Sequence, residues 1–300
     1  MRKIVLGIIG DGYHYNKNIK PILNSLKKKL NIKFYIIKKK NNQYDYLEFF
    51  KKNINKCFLC TPTKTHFSLA KYCINNGVSV ISEKPLCENL SQTKKLILMA
   101  KKKNVFLSEA FMYVYHPIFR YLKNIVNNNK SQILYVKSEF TIPSLDKKNN
   151  RYDLKKGGGF YNDLAIYPLS LEYYLFNSKK LHNVKKFIYS KKKVPLRGFL
   201  NFKSNSFERF YFWGENQKYS NNITIVCKDL SIHVNNFYSK NFKVSSFVEI
   251  SGKKNKKIYF QKCNQFYEMF IELLSNFQKK KFIQDHYKNI LNLSKIKNQL

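Results

Sequence analysis

The chain has 300 residues, of which 44% are hydrophobic and 16% aromatic, so it can bury one large core or two medium ones, which excludes an intrinsically disordered chain. Its 56 Lys and Arg against 18 Asp and Glu give a formal net charge of +38, but the lysines are spread along the whole chain, which favours a compositional bias over the clustered charge of a nucleic-acid binder. No apolar segment approaches the roughly 18 to 20 residues that a membrane-spanning helix needs.

The N-terminus and the cysteines bear on the cellular compartment. The opening MRKIVLGIIG resembles a signal peptide, but its apolar part is short, it runs into Asp11, and no small-residue cleavage pattern follows, so we interpret it as a first buried strand. Cys57 and Cys60 form a C-x-x-C, yet no second pair or histidine pair completes a zinc site. We therefore expect no metal, and we interpret the six cysteines as free thiols in a reducing cytoplasm.

Strand-like and helix-like segments alternate in the first part of the chain. In order, we predict a strand at 3–10, a helix at 18–30, strands at 32–38 and 56–62, a helix at 65–77 that ends on Gly77, a strand at 78–82, a helix at 91–104 that opens with Ser91 as its cap, and a strand at 105–111. This alternation is typical of parallel strands joined by crossover helices, and it predicts a doubly wound α/β sheet.

The pattern changes after about residue 118, where strands follow one another with few helices between them. We predict strands at 132–142, 185–192, 206–213, 221–227, 230–237 and 247–251, with helices near 163–176 and 264–278. The predicted fold is therefore a doubly wound α/β domain over residues 1–118, followed over residues 119–300 by an α+β domain with an open, mainly antiparallel sheet.

The turn after the first predicted strand, GIIGDGYHY at 7–15, is rich in glycine. Gly10 and Gly12 lack side chains at the point where backbone N–H groups of a helix N-terminus can approach a pyrophosphate, so we assign them, with Tyr13, to a dinucleotide site. The third glycine of the usual fingerprint is absent, because Tyr15 occupies its position. An ordinary tight turn therefore stays open as the alternative.

The end of the second predicted strand bears on which dinucleotide binds. An Asp or Glu there would bind the ribose hydroxyls of NAD, but the sequence supplies Lys38, Lys39 and Lys40 instead. Because Lys38 can pair with the 2′-phosphate of NADP, we favour NADP over NAD. Chance placement of a lysine in so lysine-rich a chain stays open.

Three further stretches carry a family resemblance. They are FLCTPTKTHFSLAKYCINNGVSVISEKPL at 58–86, SEAFMYVYHPIF at 108–119 and NRYDLKKGGGFYNDLAIYPLSL at 150–171. In this order and at these separations they resemble the Gfo/Idh/MocA oxidoreductases, nearest to the nucleotide-sugar 3-ketoreductase and dihydrodiol dehydrogenase branches. The resemblance covers most of the chain. It implies an NAD(P)-binding Rossmann domain, a substrate domain, and hydride transfer between the nicotinamide and a carbonyl or hydroxyl of a sugar or nucleotide sugar.

The stretch VISEKPL at 80–86 ends an apolar run on Glu83-Lys84-Pro85, and the proline restricts Lys84 to an extended backbone. In the family this lysine assists proton transfer at the substrate oxygen, which implies a catalytic role for Lys84 and places Glu83 beside the cofactor. The chemistry agrees, because reduction of a carbonyl needs a proton at oxygen as well as a hydride at carbon.

The stretch 155–171 supplies the rest of the predicted site. Asp163 and Tyr167 lie four residues apart on a predicted helix, so they can face one cavity. The family commonly has a catalytic histidine where this chain, like some branches, has Tyr167. The resemblance thus implies that Tyr167 donates a proton, with Asp163 orienting substrate hydroxyls. An aromatic helix packed on a sheet is the alternative for Tyr167.

The resemblance also places four residues near the cofactor, namely Thr61, Pro62, His66 and Arg151. His66 could instead only cap the N-terminus of its helix. Arg151 could orient either the cofactor or the substrate by hydrogen bonding.

Two hypotheses from other classes stay open. A catalytically silent, cofactor-binding regulator is favoured by the missing third glycine and opposed by the presence of Lys84, Asp163 and Tyr167. A basic nucleic-acid binder is disfavoured by the diffuse charge. We expect a sugar or nucleotide-sugar substrate, no membrane or nucleic-acid partner, and a homodimer or homotetramer formed through the sheet of the second domain.

Overall fold

The computed structural model describes residues 4–37, 39–40, 43–44, 46–156 and 159–300. The chain divides into two compact units, the first comprising Met1–Phe111 and Phe266–Leu291, and the second comprising Met112–Gln265 and Asn292–Leu300. The segment Phe266–Leu291 belongs to the first unit, whereas the sequence pattern assigns all of residues 119–300 to one domain.

Helices α1 to α8 occur along the described part of the chain. They are α1 (Lys20–Lys29), α2 (Tyr46–Phe50), α3 (His66–Asn75), α4 (Leu90–Lys103), α5 (Pro117–Asn129), α6 (Ile166–Tyr174), α7 (Gln265–Asn276) and α8 (Lys280–Lys297). The sequence analysis missed α2, α5 and α8, although α5 buries apolar residues at helical spacing. None of these described helices combines the length and the apolar character that crossing a membrane requires.

The first unit is built on a parallel sheet. Its strands are β1 (Ile4–Ile9), β2 (Ile32–Ile37), β5 (Lys56–Leu59), β6 (Ser79–Ser82) and β7 (Leu107–Glu109), and a separate antiparallel pair comprises β3 (Lys39–Lys40) and β4 (Gln43–Tyr44). The order β2-β1-β5-β6-β7 confirms the predicted doubly wound sheet. The chain leaves β1 for β2 on one side and continues at β5 on the other, so the edge between β1 and β5 is a topological switch point, where open α/β sheets bind ligands.

The C-terminal segment of the first unit completes its core. The ring of Phe270 on α7 lies 5.2 Å from the ring of Phe58 on β5. The Tyr287 hydroxyl on α8 donates a hydrogen bond to the carbonyl of Val105, two residues before β7 begins. These contacts bury apolar surface on β5 and near β7, and they explain why Phe266–Leu291 joins the first unit.

Two helices begin with a π-helical turn, at Tyr15–Ile19 before α1 and at Tyr161–Ala165 before α6. Each turn precedes a proline, Pro21 or Pro168. A proline inside a helix lacks the N–H donor and clashes with the carbonyl four residues earlier, and a wider turn ahead of it relieves both conflicts. The second π turn carries Asp163 of the predicted site, and the first begins three residues after Gly12, in line with the frequent use of such turns at functional positions.

The cap of α4 corrects one sequence-based expectation. We expected Ser91 to cap this helix, but the N-cap is Asn89, whose side chain accepts a hydrogen bond from the Gln92 backbone N–H at 2.9 Å. Asn caps a helix as well as Ser does, and Leu90 and Ser91 then form its first turn.

The second unit is built on a sheet of strands β8 to β15. They are β8 (Ile133–Thr141), β9 (His182–Lys191), β10 (Val194–Ser204), β11 (Phe207–Gly214), β12 (Ser220–Cys227), β13 (Leu230–Val234), β14 (Ser246–Gly252) and β15 (Lys256–Phe260). Their order is β15-β14-β13-β12-β8-β11-β10-β9. Only β8 and β11 pair in parallel within these described strands, and the sheet ends at β15 and β9, which confirms the predicted open, mainly antiparallel sheet.

One face of this sheet packs on α6 through a buried ion pair. Arg209 Nε on β11 lies 2.7 Å from Glu172 Oε1 on α6, and both side chains are fully buried. The Tyr211 hydroxyl donates to the same carboxylate, and the Arg209 guanidinium stacks on the rings of Phe176 and Phe207. Because each charge has its partners in the interior, the pair fixes how α6 lies on the sheet.

Candidate active site

The carboxyl ends of four strands meet at one edge of the parallel sheet. In the strand register Ile9 lies beside Leu59, Leu59 beside Ser82, and Ser82 beside Glu109. The residues that follow these strand ends therefore form a row along the edge: Gly10, Cys60, Glu83 and Ala110. The fold thus brings the glycine turn and the Glu83-Lys84-Pro85 stretch, which the sequence analysis treated separately, to the same edge of the first unit.

The glycine turn has the geometry that a close approach of phosphate requires. Gly10 has φ +105°, and a Cβ there would lie 2.4 Å from the Cys60 carbonyl oxygen, so a side chain cannot fit. A Cβ on Gly12 would meet nothing within 4 Å, so the space outside this residue is open among the described atoms. A tight inner glycine and an open outer glycine at a helix N-terminus fit a dinucleotide pyrophosphate.

Tyr15, which replaces the third glycine, is fully buried. The π turn that begins at Tyr15 gives this helix a wider first turn than an α-helix has. The phenol oxygen has no hydrogen-bond partner among the described residues. Burial, with the nearby Cys60 and Asp11, raises the pKa of Tyr15. The chain therefore accommodates the bulky residue by packing it beneath the turn, and the phosphate side of the turn stays clear.

The structure places two other predicted cofactor residues differently. Tyr13 is 75% exposed, and its hydroxyl accepts a hydrogen bond from Lys17 Nζ at 2.6 Å. Lys38, which we predicted to pair with a 2′-phosphate, lies outside the described residues. Their roles as cofactor contacts stay predictions.

Glu83 contacts the helix that follows the glycine turn. Its Oε1 lies 3.0 Å from His14 Nε2, and the Glu83 side chain is only 14% exposed. Burial alone would raise the pKa of the Glu83 carboxyl, but the charge and hydrogen bond of His14, with the charges of Lys84 and His66, more than offset burial and lower it. Glu83 is therefore a carboxylate at neutral pH, tied to the dinucleotide turn.

His66 joins two loops of the candidate site. Its Nδ1 lies 2.8 Å from the Pro85 carbonyl oxygen and its Nε2 lies 2.8 Å from the Thr61 carbonyl oxygen. Burial lowers the pKa of His66, and the two carbonyl contacts oppose that shift. Both ring nitrogens of His66 contact carbonyl oxygens of other loops, so the described contacts do not support the alternative that His66 only caps its helix.

The sequence analysis quoted Glu109 but gave it no role. This residue ends β7, is 8% exposed, and its Oε1 accepts a hydrogen bond from the Leu86 backbone N–H at 2.6 Å. It therefore holds the chain just beyond Lys84-Pro85. The sequence did indicate a candidate residue here, because VFLSE ends an apolar run on an acid in the same way as VISE. The hydrogen-bond partner of Glu109 could not be predicted from that pattern.

In the second unit, Arg151 and Asp163 contact each other. Arg151 Nε donates a hydrogen bond to Asp163 Oδ2 at 2.5 Å, with the Asp163 side chain 25% exposed. The negative charge of Asp163 is the main cause that raises the pKa of Arg151. The two residues form one partly buried pair, whereas the sequence analysis treated them separately and left open whether Arg151 orients the cofactor or the substrate.

Tyr167 lies in an aromatic environment in the second unit. It is 6% exposed, its ring centroid is 5.0 Å from that of Phe140 and 5.4 Å from that of Tyr238, and its hydroxyl lies 3.8 Å from Met112 Sδ. The helix α6 thus packs on the sheet as the alternative reading expected. A thioether is a weak acceptor, so this hydrogen bond from the phenol is a weak one.

The face of the second sheet opposite α6 carries a groove of about 690 Å³. Aromatic side chains and polar groups line it, including Phe199, Phe212, Tyr219, Glu139 and Arg197. Within the described ranges, no three His, Cys, Asp or Glu side chains come together in the way a metal ion requires.

Comparisons with known proteins agree with the first unit's geometry. Residues 4–111 match a family model described as an oxidoreductase family with an NAD-binding Rossmann fold. A trans-1,2-dihydrobenzene-1,2-diol dehydrogenase of Xenopus laevis is 29% identical over 120 residues, 40% of this chain and 36% of that protein. A dTDP-3,4-didehydro-2,6-dideoxy-alpha-D-glucose 3-reductase of Actinomadura kijaniata is 26% identical over 118 residues, 39% of this chain and 36% of that protein. The chain thus spans little more than a third of the length of the curated relatives it matches.

The solved structures extend the likeness to the whole chain. KijD10, a 3-ketoreductase from Actinomadura kijaniata in complex with NADP and TDP-benzene, superposes with a TM-score of 0.86 at 17% identity, covering 98% of this chain and 95% of that one. Similar structures include variants of KijD10 in which a lysine is replaced by alanine or a tyrosine by phenylalanine. At this identity the likeness shows a shared fold in both units.

Proposed function

We propose that this protein is an NAD(P)-dependent oxidoreductase of the Gfo/Idh/MocA type that acts on a sugar or nucleotide sugar. The match of residues 4–111 to the family model of oxidoreductases with an NAD-binding Rossmann fold supports this proposal. The observation that carries the proposal is the strand register, which sets the open Gly10–Gly12 turn and the Glu83-Lys84 stretch on one edge of the sheet. A silent regulator would have no need of a lysine held at that edge.

The residues that would hold the cofactor belong to the first unit. The backbone N–H groups after Gly10 and Gly12 would bind the pyrophosphate, and Thr61 and Pro62 would contact the cofactor from the loop after β5. When bound, the nicotinamide supplies or accepts the hydride. We favour NADP over NAD on the chemistry of Lys38, and the presence of NADP in the KijD10 structures supports this choice.

We propose that Lys84 delivers the proton that the substrate oxygen needs. Its position is fixed from both sides, because the Glu83 N–H donates to the Leu59 carbonyl at 2.9 Å and His66 contacts the Pro85 carbonyl. A cationic ammonium at the substrate oxygen also stabilises the negative charge that develops as a carbonyl is reduced.

We propose that Tyr167 shares this proton transfer and that Asp163 orients substrate hydroxyls. A phenol can donate a proton or a hydrogen bond to a substrate oxygen, and the Tyr167 hydroxyl is a donor in its contact with Met112 Sδ. Arg151 holds the Asp163 carboxylate in one orientation, which suits a group that accepts hydrogen bonds from sugar hydroxyls.

We propose a nucleotide sugar rather than a free sugar as substrate, on the support of the dTDP-sugar reductase and of the KijD10 complex with TDP-benzene. We also propose that the enzyme works in the cytoplasm as a homodimer or homotetramer. The exposed aromatic side chains on the groove face, Phe187 and Phe199 among them, support assembly through the second sheet.

Thermal unfolding with added cofactor tests the proposal. NADPH or NADH at millimolar concentration should raise the Tm of the wild type, because a ligand that binds only the folded state stabilises it. Gly12→Trp should abolish this rise by filling the open space outside the turn, whereas Lys71→Trp, at an exposed position of α3, should retain it. An unchanged Tm of the wild type with both cofactors would contradict the proposal. A further rise with nucleotide sugars, and none with free sugars, would identify the substrate class.

A further inference from the structure

The His14–Glu83 contact involves a residue to which neither the glycine turn nor Lys84 assigns a role. His14 lies two residues after Gly12, in the first turn of the helix, while Glu83 immediately precedes Lys84. Their side chains meet at 3.0 Å across 69 positions of sequence. The contact thus connects the helix after the dinucleotide turn to the residue that immediately precedes the proposed proton donor.

The other ring nitrogen of His14 determines the direction of this hydrogen bond. Asn18, one helical turn later, places its amide nitrogen 3.0 Å from His14 Nδ1. An amide NH2 group only donates, so Nδ1 must accept, and a neutral imidazole then carries its proton on Nε2. That proton points to Glu83 Oε1. The hydrogen bond from Nε2 persists when the ring is protonated, so the contact with Glu83 does not depend on the charge of His14.

Hydrogen bonds restrain the backbone on both sides of Lys84. The Glu83 N–H is bound to the Leu59 carbonyl, the Pro85 carbonyl contacts His66, and the Leu86 N–H is bound to Glu109. The Glu83 side chain is the remaining group next to Lys84, and His14 orients it. The His14 ring is itself supported edge-on by Phe266, with the ring centroids 5.5 Å apart.

We infer that His14 is a positioning residue for Lys84, acting through a directional chain of hydrogen bonds from Asn18 to His14 to Glu83. This inference rests on the proposed function, because it concerns the residue that donates the proton. His14 fixes the carboxylate of Glu83, and the fixed carboxylate holds the backbone from which Lys84 reaches the substrate. Small displacements of a positioned group lower the rate of a chemical step while leaving binding nearly intact.

Two substitutions at position 14 separate positioning from packing. His14→Leu removes the donor to Glu83, and we expect it to lower kcat about tenfold or more, while the Kd for NADPH stays within about twofold. His14→Gln keeps an N–H at a similar distance from the backbone, and we expect it to recover kcat to within about threefold of the wild type. His286→Leu, which removes a buried histidine from α8 of the same unit, should lower the Tm and leave kcat unchanged.

A second readout does not depend on activity. Nitrogen-15 NMR of histidine-labelled protein at pH 8 should show His14 with its proton on Nε2, and Asn18→Leu should release this preference, giving a mixture of the two tautomers. A wild-type His14 protonated on Nδ1, or a His14→Leu variant with the kcat of the wild type, would overturn the inference. If His14→Leu does not fold, the kcat of Asn18→Leu relative to the wild type decides in its place, with an unchanged value counting against the inference. A wild type that binds no cofactor would contradict the proposed function alone, since the tautomer would still be measured.

Discussion

Arg151 and Asp163 hold each other through a 2.5 Å hydrogen bond between Nε and Oδ2, in the second unit. The sequence analysis placed Arg151 near the cofactor and left open whether it orients the cofactor or the substrate, while it assigned Asp163 to substrate hydroxyls. Their pairing favours a common role toward one ligand, and the substrate is the ligand that the carboxylate suits.

Replacing Arg151 therefore tests which ligand this pair serves. Arg151→Met leaves the Asp163 carboxylate without its partner, and we expect kcat/KM for the substrate to fall by roughly tenfold or more, since a hydrogen bond between charged groups contributes about 1.5 to 3 kcal/mol. The Kd for NADPH, measured by fluorescence titration, should change by less than about twofold. A loss of NADPH affinity with unchanged kcat/KM would instead make Arg151 a cofactor ligand.

The effects of replacing Lys84 and Tyr167 on kcat should not be independent. Lys84→Met and Tyr167→Phe should each lower kcat by on the order of 10²-fold, the scale of general acid–base catalysis, with cofactor affinity nearly intact. The double variant should lose less than the product of the two effects, because groups that transfer one proton together are not additive. Steady-state kinetics of the three variants measures this. Full activity of Lys84→Met would leave Glu83-Lys84-Pro85 as a charged strand end.

The glycine turn yields a matched pair of stability variants. Gly10→Ala places a Cβ 2.4 Å from the Cys60 carbonyl oxygen at φ +105°, so we expect the free energy of unfolding to fall by more than about 1 kcal/mol. Gly12→Ala places its Cβ in open space, and we expect a change within about 0.5 kcal/mol. Urea unfolding without cofactor measures both. Equal losses at the two positions would refute the close approach of β1 and β5 at Gly10.

Lys56 predicts a pH dependence of stability in the first unit. Burial lowers the pKa of its ammonium from 10.5 to about 7, and its Nζ lies over the Phe277 ring at 3.3 Å. Between about pH 7 and 10.5 the unfolded chain binds more protons at this site than the folded chain, so the site's contribution to stability rises with pH there, by up to about 1.4 kcal/mol per pH unit.

A comparison with Lys56→Met isolates this contribution. The variant should be more stable than the wild type at pH 7, because it buries no charge, and its advantage should shrink as the pH rises toward 10.5. Urea unfolding at several pH values gives the difference. A difference that does not vary with pH over this range would show that Lys56 keeps its proton in the folded protein.

The parts of the fold set by local pattern were predictable from the sequence. The strand–turn–helix at Gly10 and Gly12 and the apolar runs that form β5 and β6 are properties of short stretches, so spacing and turn residues identify them. The strand β10 was missed because Pro195 and Gly198 interrupt its pattern, and both residues ordinarily weaken a strand.

The contacts that complete the candidate site could not be predicted in the same way. His14 meets Glu83 and Glu109 meets Leu86 because a crossover topology brings distant strand ends together, and a single sequence does not record which ends meet. The same holds for α7. Its apolar pattern predicted the helix correctly, but the pattern did not indicate that the helix packs in the first unit. Pairing is a property of topology, whereas helix and strand formation are largely local.

The central strand of the second sheet has a consequence for how the chain reaches its folded state. In β8, Ser138 pairs with Tyr211 on β11 and with Ile223 on β12, residues that the ribosome adds long after β8 itself. Because both neighbours of β8 come so late, loops of this length must close before its backbone is paired, which slows folding and leaves two strand edges uncovered in the nascent chain. The core of the first unit is likewise incomplete until Phe266–Leu291 has been synthesised. Neither unit can therefore finish folding before these later segments have been synthesised, and both edges of β8 stay unpaired until then.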